Sequence, residues 1–288
     1  MFDRWRRRRD KARVSTDLPI TWFDFPAAEA RARPRIVRDI MEQRIDGMTV
    51  RGVFTTAEVD RAVAALPEHR AHETPVVFGT VLARPLMQSG MSTDRTQHLD
   101  DAERFHAEFV EMFGFDPHER LAEIFATMSG EMALTSPSED GRRYNPGQIR
   151  IMEPDGGGLA AHAGNEFLIS NKEGSANHLW DTTDALDHMS YFVVLQRPDE
   201  GGALSVYDKL WVDPRDEGGE VHIPLTHDAT DFDQLAHLTV DPDPGDLVVF
   251  QGGRRWHRVE PVFGSRPRLT YGGFVAPSRD HRELHCWA

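Results

Sequence analysis

The sequence predicts an α+β protein in which N-terminal helices buttress a β-sandwich or barrel. Two observations predict it. Apolar residues recur at helical spacing through the first half, and the second half breaks into short β-rich runs separated by Gly and Pro. A chain of 288 residues with 39% hydrophobic content can bury one large core, so residues 21–288 are expected to form a single domain. Within it, helical support is expected over about 27–130 and the β core over about 145–280.

Residues 1–20 carry Trp5 followed by four arginines and read as a solvated, disordered tail. No apolar segment follows them, so no export signal is expected. A helix is predicted over Ala27–Arg44, with Ile36, Ile40 and Met41 on one face. Thr55 or Thr56 caps a second helix through Ala65, ended by Pro67. Asp100–Phe113 and Pro117–Met128 repeat the apolar spacing. Strands are expected at Gln148–Glu153, Leu159–Ser170, His188–Gln196, Ala203–Tyr207, Asp246–Gln251 and Arg268–Ala276. Trp211–Leu238 is longer and more polar than its neighbours, as a surface insertion or lid would be.

Charge and cysteine content exclude several classes. A net charge of -14 argues against nucleic-acid polymers and membrane surfaces as partners, though not against a small anion. No run approaches the length of a membrane span. Cys286 is the only cysteine, which rules out an intrachain disulfide, a thiolate zinc site and an iron–sulfur cluster. A reducing compartment, the cytoplasm, is expected.

The chemistry is concentrated in His162-Ala163-Gly164 and a distant His257. Non-haem iron oxygenases hold Fe(II) with two histidines and one carboxylate, the carboxylate lying two residues after the first histidine. Here that position is Gly164, which has nothing to ligate with. If Leu159–Ser170 is a strand, His162, Gly164 and Glu166 share one face. Glu166 would still need a shift of about 6–7 Å to take the ligand position, so it is not expected as a ligand. Arg268 follows His257 at the head of the next β run, where an adjacent antiparallel strand would return it beside the metal. Its guanidinium and the hydroxyl of Thr270 on the same face suit the distal carboxylate of 2-oxoglutarate. Each signal alone has a plainer reading, as a core histidine or a solvated arginine; the chain has 14 histidines. Their order along the chain is what points to a 2-oxoglutarate oxygenase.

At these residues the sequence resembles the carrier-independent iron/2-oxoglutarate halogenases that act on hapalindole- and welwitindolinone-type alkaloids. The similarity runs from about residue 30 through Asp46–Phe54, Phe78–Thr80, Ala161–Leu168, Ala176–Leu179, Ser190–Phe192, Gly252–Arg254, His257–Val259 and Arg268–Phe274. The resemblance implies a double-stranded β-helix (jelly-roll) core, Fe(II) on His162 and His257, chloride at the position Gly164 vacates, and 2-oxoglutarate on Arg268. It implies that dioxygen and 2-oxoglutarate drive removal of a hydrogen atom from an unactivated carbon, which then takes chlorine instead of hydroxyl. Ser190 matches a family serine that hydrogen-bonds the reactive oxygen and favours chlorine transfer; from the residues alone it is equally a strand serine bonded to backbone. The resemblance also implies a freestanding small-molecule substrate with no carrier protein.

By position, the substrate wall should include Val81, Leu82, Arg84, Pro85, Leu159 and Phe167. An indole terpenoid wants an oily pocket, whereas Arg84, Arg150, Lys172 or the Arg142-Arg143 pair would suit a phosphate or carboxylate. Some relatives chlorinate the sugar of a purine nucleotide, so a nucleotide such as dAMP is the leading expectation. An indole alkaloid is the alternative. Phe78, Phe167 or Trp180 could stack on a base, although core packing accounts for them equally. The competing activities are a 2-oxoglutarate hydroxylase on the same scaffold and a non-catalytic jelly-roll binding protein.

Overall fold

The computed structural model describes residues 18–155, 157–213 and 232–288. Most of the basic N-terminal stretch (1–17) and the middle of the polar 211–238 segment (214–231) lie outside the described residues.

Strands β1 (Trp22–Pro26) and β2 (Gly47–Arg51) pair in parallel. Between them, the helix expected over Ala27–Arg44 is two pieces, a 3-10 turn over Ala27–Ala32 and α1 (Ile36–Met41). Pro34 separates them. It lacks an N–H and disfavours helical geometry at Arg33, which sits at φ -128°, ψ 53°. Helix α2 (Thr56–His69) starts on a capping box. Thr55 Oγ1 accepts from the Glu58 N–H at 3.3 Å, and the Glu58 carboxylate accepts from the Thr55 N–H at 2.7 Å. It continues past Pro67, beyond the expected end at Ala65. Proline so near the C-terminus removes only one helical bond, and Leu66 is buried against the core.

A short hairpin, β3 (Thr74–Val76) and β4 (Gly79–Leu82), precedes α3 (Thr96–Phe113) and α4 (Pro117–Ser129). Both helices stop at left-handed glycines, Gly114 (φ 79°) and Gly130 (φ 77°). Then come β5 (Leu134–Thr135), β6 (Ser138–Glu139), β7 (Arg142–Arg143), β8 (Gln148–Met152) and β9 (Leu159–His162). Two short helices, α5 (Gly164–Ser170) and α6 (Asn177–Thr182), lead into β10 (Met189–Gln196). The remainder is β11 (Glu200–Gly201), β12 (Leu204–Leu210), β13 (His237–Val240), β14 (Leu247–Phe250), β15 (Arg255–Val259), β16 (Val262–Phe263), β17 (Arg268–Pro277) and β18 (Leu284–Trp287).

Two sheets make the jelly roll. The larger runs β1-β2-β14-β10-β17-β8-β4-β3, with β18 on β17 and β5 on β18; the smaller runs β13-β12-β15-β9. Between them lies an apolar cluster drawn from both, including Phe192, Val248 and Phe250 from one side and Leu204, Val206 and Val240 from the other. The outer face of the larger sheet packs on α1–α4 through Val193, Tyr271, Phe105, Phe113 and Phe125. Full burial of one such large apolar side chain contributes about 1.5–3 kcal/mol. No helix among the described residues is long and apolar enough to cross a membrane.

Three local expectations are corrected. The strand expected over Leu159–Ser170 ends at His162, and α5 begins at Gly164. The Gly164 and Asn165 N–H groups bond to the carbonyls of Gly252 and Gly253 at 2.8 and 2.9 Å, and the Glu166 carboxylate reaches back to the Ala163 N–H at 3.5 Å. These tertiary and capping bonds turn the chain, so Gly164 and Glu166 do not share a strand face with His162. Second, His257 lies inside a strand, β15, which is not among the strands expected. Third, the strand of Arg268 is not the neighbour of His257's strand: β17 pairs with β10 and β8 in the larger sheet, while β15 belongs to the smaller.

Candidate metal and co-substrate site

Register brings the two histidines together. His162 of β9 and His257 of β15 are direct cross-strand partners, and their ring centroids are 4.1 Å apart. Each ring is fixed by its own strand, since Nδ1 of His162 meets the Ala160 carbonyl at 2.8 Å and Nδ1 of His257 meets the Arg255 carbonyl at 2.9 Å. With Nδ1 donating, the lone pair of each imidazole is on Nε2, the arrangement a metal ligand needs. Burial, then the neighbouring His162, hold His257 well below the usual imidazole range. Two buried imidazoles in register, each with Nδ1 on a backbone carbonyl, fit a two-histidine transition-metal site. Among the described residues no third His, Cys, Asp or Glu completes a metal-binding group with them.

Phe250 packs edge-on to His257 at 4.8 Å, and Phe167 edge-on to His162 at 5.6 Å. Arg255, two residues before His257, is buried and ion-paired to Asp46, which ties β15 to the chain entering β2. Glu166 is not oriented by His162's strand; burial pushes its carboxyl up to about 7.

The facing surface of the larger sheet carries the cations. Strand alternation turns Ser190, Thr270, Arg268 and Arg150 to the side shared with Phe192 and Phe250. Ser190 pairs in register with Phe250 and with Phe274, and Thr270 pairs with Arg150. Arg268 is buried with its guanidinium 5.2 Å from the Phe192 ring; burial and then the charge of Arg150 bring its pKa down to about 10. Arg150 lies over the rings of Phe78 (5.8 Å) and Phe274 (5.5 Å), and burial likewise pushes it down to about 10. Its Nε donates to the Gln148 side-chain oxygen at 3.0 Å, while the Gln148 amide donates to the Ala83 carbonyl at 3.2 Å. The charge of Arg150 acts on both His257 and Arg268.

The expected substrate wall divides. Val81 is cross-strand partner to Arg150 and shares its inner face, Phe167 touches His162, and Leu159 packs beside Phe78, Met152 and Val259. Leu82 does not belong with them. One residue on from Val81, it points the other way into the helical core with Ile149 and Phe105, as period-two alternation requires. Arg84 is half-buried; its N–H donates to Asp101 at 3.1 Å, and its Nε has no hydrogen-bond partner among the described residues. Pro85 precedes a 3-10 turn over Leu86–Ser89. Of the other cations considered, Arg142 is engaged with Asp100 and Glu103 on the surface, and Lys172 sits over the Trp180 ring at 4.9 Å.

The sequence reading missed His188. It precedes Ser190 by two residues, so the same alternation that inverts Leu82 would have found it. Its ring is buried against Phe274 and Trp287, and burial lowers its pKa to about 4.

The family model described as carrier-protein-independent halogenase WelO5 matches residues 19–288. The chain belongs to this halogenase family. As a member it is an Fe(II)/2-oxoglutarate-dependent oxidoreductase that also draws on chloride and dioxygen. No curated protein matches its sequence. Among solved structures, an N-substituted L-amino acid dioxygenase from Burkholderia ambifaria aligns at a TM-score of 0.53 and 15% identity, covering 90% of each chain. The carbocyclase SnoK from nogalamycin biosynthesis aligns at 0.50 and 14%, covering 83% of this chain and 85% of that one. At such identities these similarities bear on the fold, which the halogenase shares with 2-oxoglutarate oxygenases of other activities.

Proposed function

We propose that this halogenase chlorinates an unactivated sp3 carbon of a freestanding anionic small molecule, with a purine nucleotide such as dAMP as the leading substrate. The observation that carries the reading is the register-paired, buried His162–His257 couple followed by Gly164 where a carboxylate ligand would stand. His162 and His257 would hold Fe(II) through Nε2, and Gly164 leaves a coordination position to chloride. Bound there with dioxygen and 2-oxoglutarate, iron supplies the oxidant that removes a hydrogen atom, and the chloride supplies the atom returned.

The protein's own groups bind and orient. Arg268 offers two parallel N–H donors to the distal carboxylate of 2-oxoglutarate, and Thr270, on the same face, adds a hydroxyl donor. The Ser190 hydroxyl is a donor on the inner face next to Phe250, which touches His257. Arg150 is a second desolvated cation whose bond is to a neutral amide, so an anionic group that reaches it gains a strong partner. That favours a phosphate-bearing substrate over an oily alkaloid. Phe78 and Phe274, already against Arg150, offer ring faces to the rest of the molecule.

The test is mass spectrometry of reactions containing Fe(II), 2-oxoglutarate and chloride with dAMP, deoxyadenosine and an indole alkaloid in parallel. A chlorinated product from dAMP in preference to the other two is expected. Hydroxylated product only, with no chloride-dependent change in the anaerobic iron spectrum, would sink the halogenase assignment. Chlorination of the alkaloid alone would sink the substrate assignment.

A further inference from the structure

We infer that His188 is a specificity-determining residue: its imidazole fills the space that any side chain at position 164 would need, and so keeps that position beside His162 without a protein ligand. A Cβ on Gly164 would stand 2.5 Å from His188 Nε2 and 2.8 Å from its Cε1, with the Gly252 carbonyl oxygen at 3.1 Å. Carbon atoms in proteins do not approach so closely, because optimal separations are about 3.5–4.0 Å. Backbone conformation is not the reason for the glycine. Gly164 is absent from the glycines with positive φ, so its dihedrals suit other residues. Space is the reason.

The ring is not a flexible end that can swing aside. His188 Nδ1 donates to the Ala185 carbonyl at 3.1 Å, and the ring is held edge-on by Phe274 (5.1 Å) and Trp287 (5.7 Å). Its backbone is pinned as well, since the His188 carbonyl accepts from the Gly253 N–H at 2.8 Å. The opposite wall is equally close. A Cβ on Gly253 would lie 2.7 Å from the His188 backbone nitrogen, and one on Gly252 would lie 1.9 Å from Ser190 Oγ. Three glycines on one side thus accommodate His188 and Ser190 on the other. A carboxylate introduced at 164 would have to displace a buried, hydrogen-bonded imidazole before it could reach a metal. The ligand gap is therefore a property of two residues, and substitution of Gly164 alone does not refill it.

The steric part of this inference stands on packing alone; its consequence for the metal rests on the reading of Gly164 as the vacated ligand position. The experiment separates them. Thermal unfolding of the metal-free protein is measured for wild type, Gly164→Ala, His188→Ala and the double variant. Gly164→Ala is expected to lower Tm by roughly 3–10 °C in the wild-type background and by about 1 °C or less beside His188→Ala. Equal losses in both backgrounds overturn the inference. Fe(II) affinity is then measured for Gly164→Asp with and without His188→Ala. Gly164→Asp alone should not tighten iron binding, whereas the double variant should bind Fe(II) about 10-fold more tightly than His188→Ala, roughly 1.4 kcal/mol. Tightening by Gly164→Asp alone overturns the inference, as does a loss of iron in His188→Ala matching that in His162→Ala, which would make His188 a ligand. If His162→Ala and His257→Ala leave Fe(II) binding intact, the iron assignment fails while the unfolding cycle still decides the role of His188.

Discussion

The two sheets of the jelly roll contribute opposite chemistry to the same interior. The four-stranded sheet brings two buried imidazoles, His162 and His257, with their Nδ1 atoms tied to their own strands. The ten-stranded sheet brings cations, Arg150 and Arg268, with Thr270 and Ser190 on the same face. A histidine responds to burial by staying neutral, which makes it a better ligand. A guanidinium stays charged even when burial brings it to about 10, so it waits for an anion. With the histidines and the cations on separate sheets, the proposed metal and anionic co-substrate would meet between them, and neither sheet would hold the whole of the proposed site.

The largest effects are expected on the histidine side. His162→Ala or His257→Ala should weaken Fe(II) binding at least about 100-fold, beyond the 10–100-fold typical of outer partners, as read by anaerobic titration. Co-substrate binding through the larger sheet is the next test. Arg268→Met should raise KM for 2-oxoglutarate by a factor corresponding to about 2–5 kcal/mol, while iron affinity in its absence stays close to wild type. A matching loss of iron would mean that the two sheets are not separable in function.

Arg150→Met sharpens the contrast further. It should raise KM for a phosphate-bearing substrate about 10–100-fold and leave that for its uncharged nucleoside unchanged. The same variant should unfold at an equal or higher temperature than wild type. It removes a desolvated charge that has no carboxylate partner among the described residues.

The smallest effect is on pH. His188, depressed to about 4 from an ordinary 6.5, binds fewer protons folded than unfolded between those values. Its contribution is present above about 6.5 and is lost as pH falls toward 4, on the order of 3 kcal/mol in all. The arginines do not titrate there. Unfolding of metal-free His188→Asn should therefore show a flatter pH profile over that window, and an unchanged profile would assign the acid sensitivity elsewhere.

Much of this was legible before any coordinates. Gly164, His162 and His257 stand out in the sequence as candidates because ligand chemistry restricts residue type and spacing. The family similarity, which the match over 19–288 bears out, drew on local blocks that are themselves sequence. Errors arose where a local pattern fits two conformations. Leu159–Ser170 alternates well enough for a strand, and only the bonds from Gly164 and Asn165 to Gly252 and Gly253 turn it into β9 and α5. Leu82 is expected on the substrate side with its neighbour Val81, but a single residue of register reverses the face. Pro67 predicts a stop from its local cost alone, whereas burial of Leu66 carries the helix past it.

By itself the sequence determined the donor types, the absence of a carboxylate at 164 and the family, since these depend on which atoms are present. The tertiary structure alone decided which atoms meet. It made His162 and His257 register partners, put Arg268 on the facing sheet and set His188 against Gly164. Those relations depend on strand pairing and side-chain packing between segments far apart in the chain, and no local periodicity encodes them.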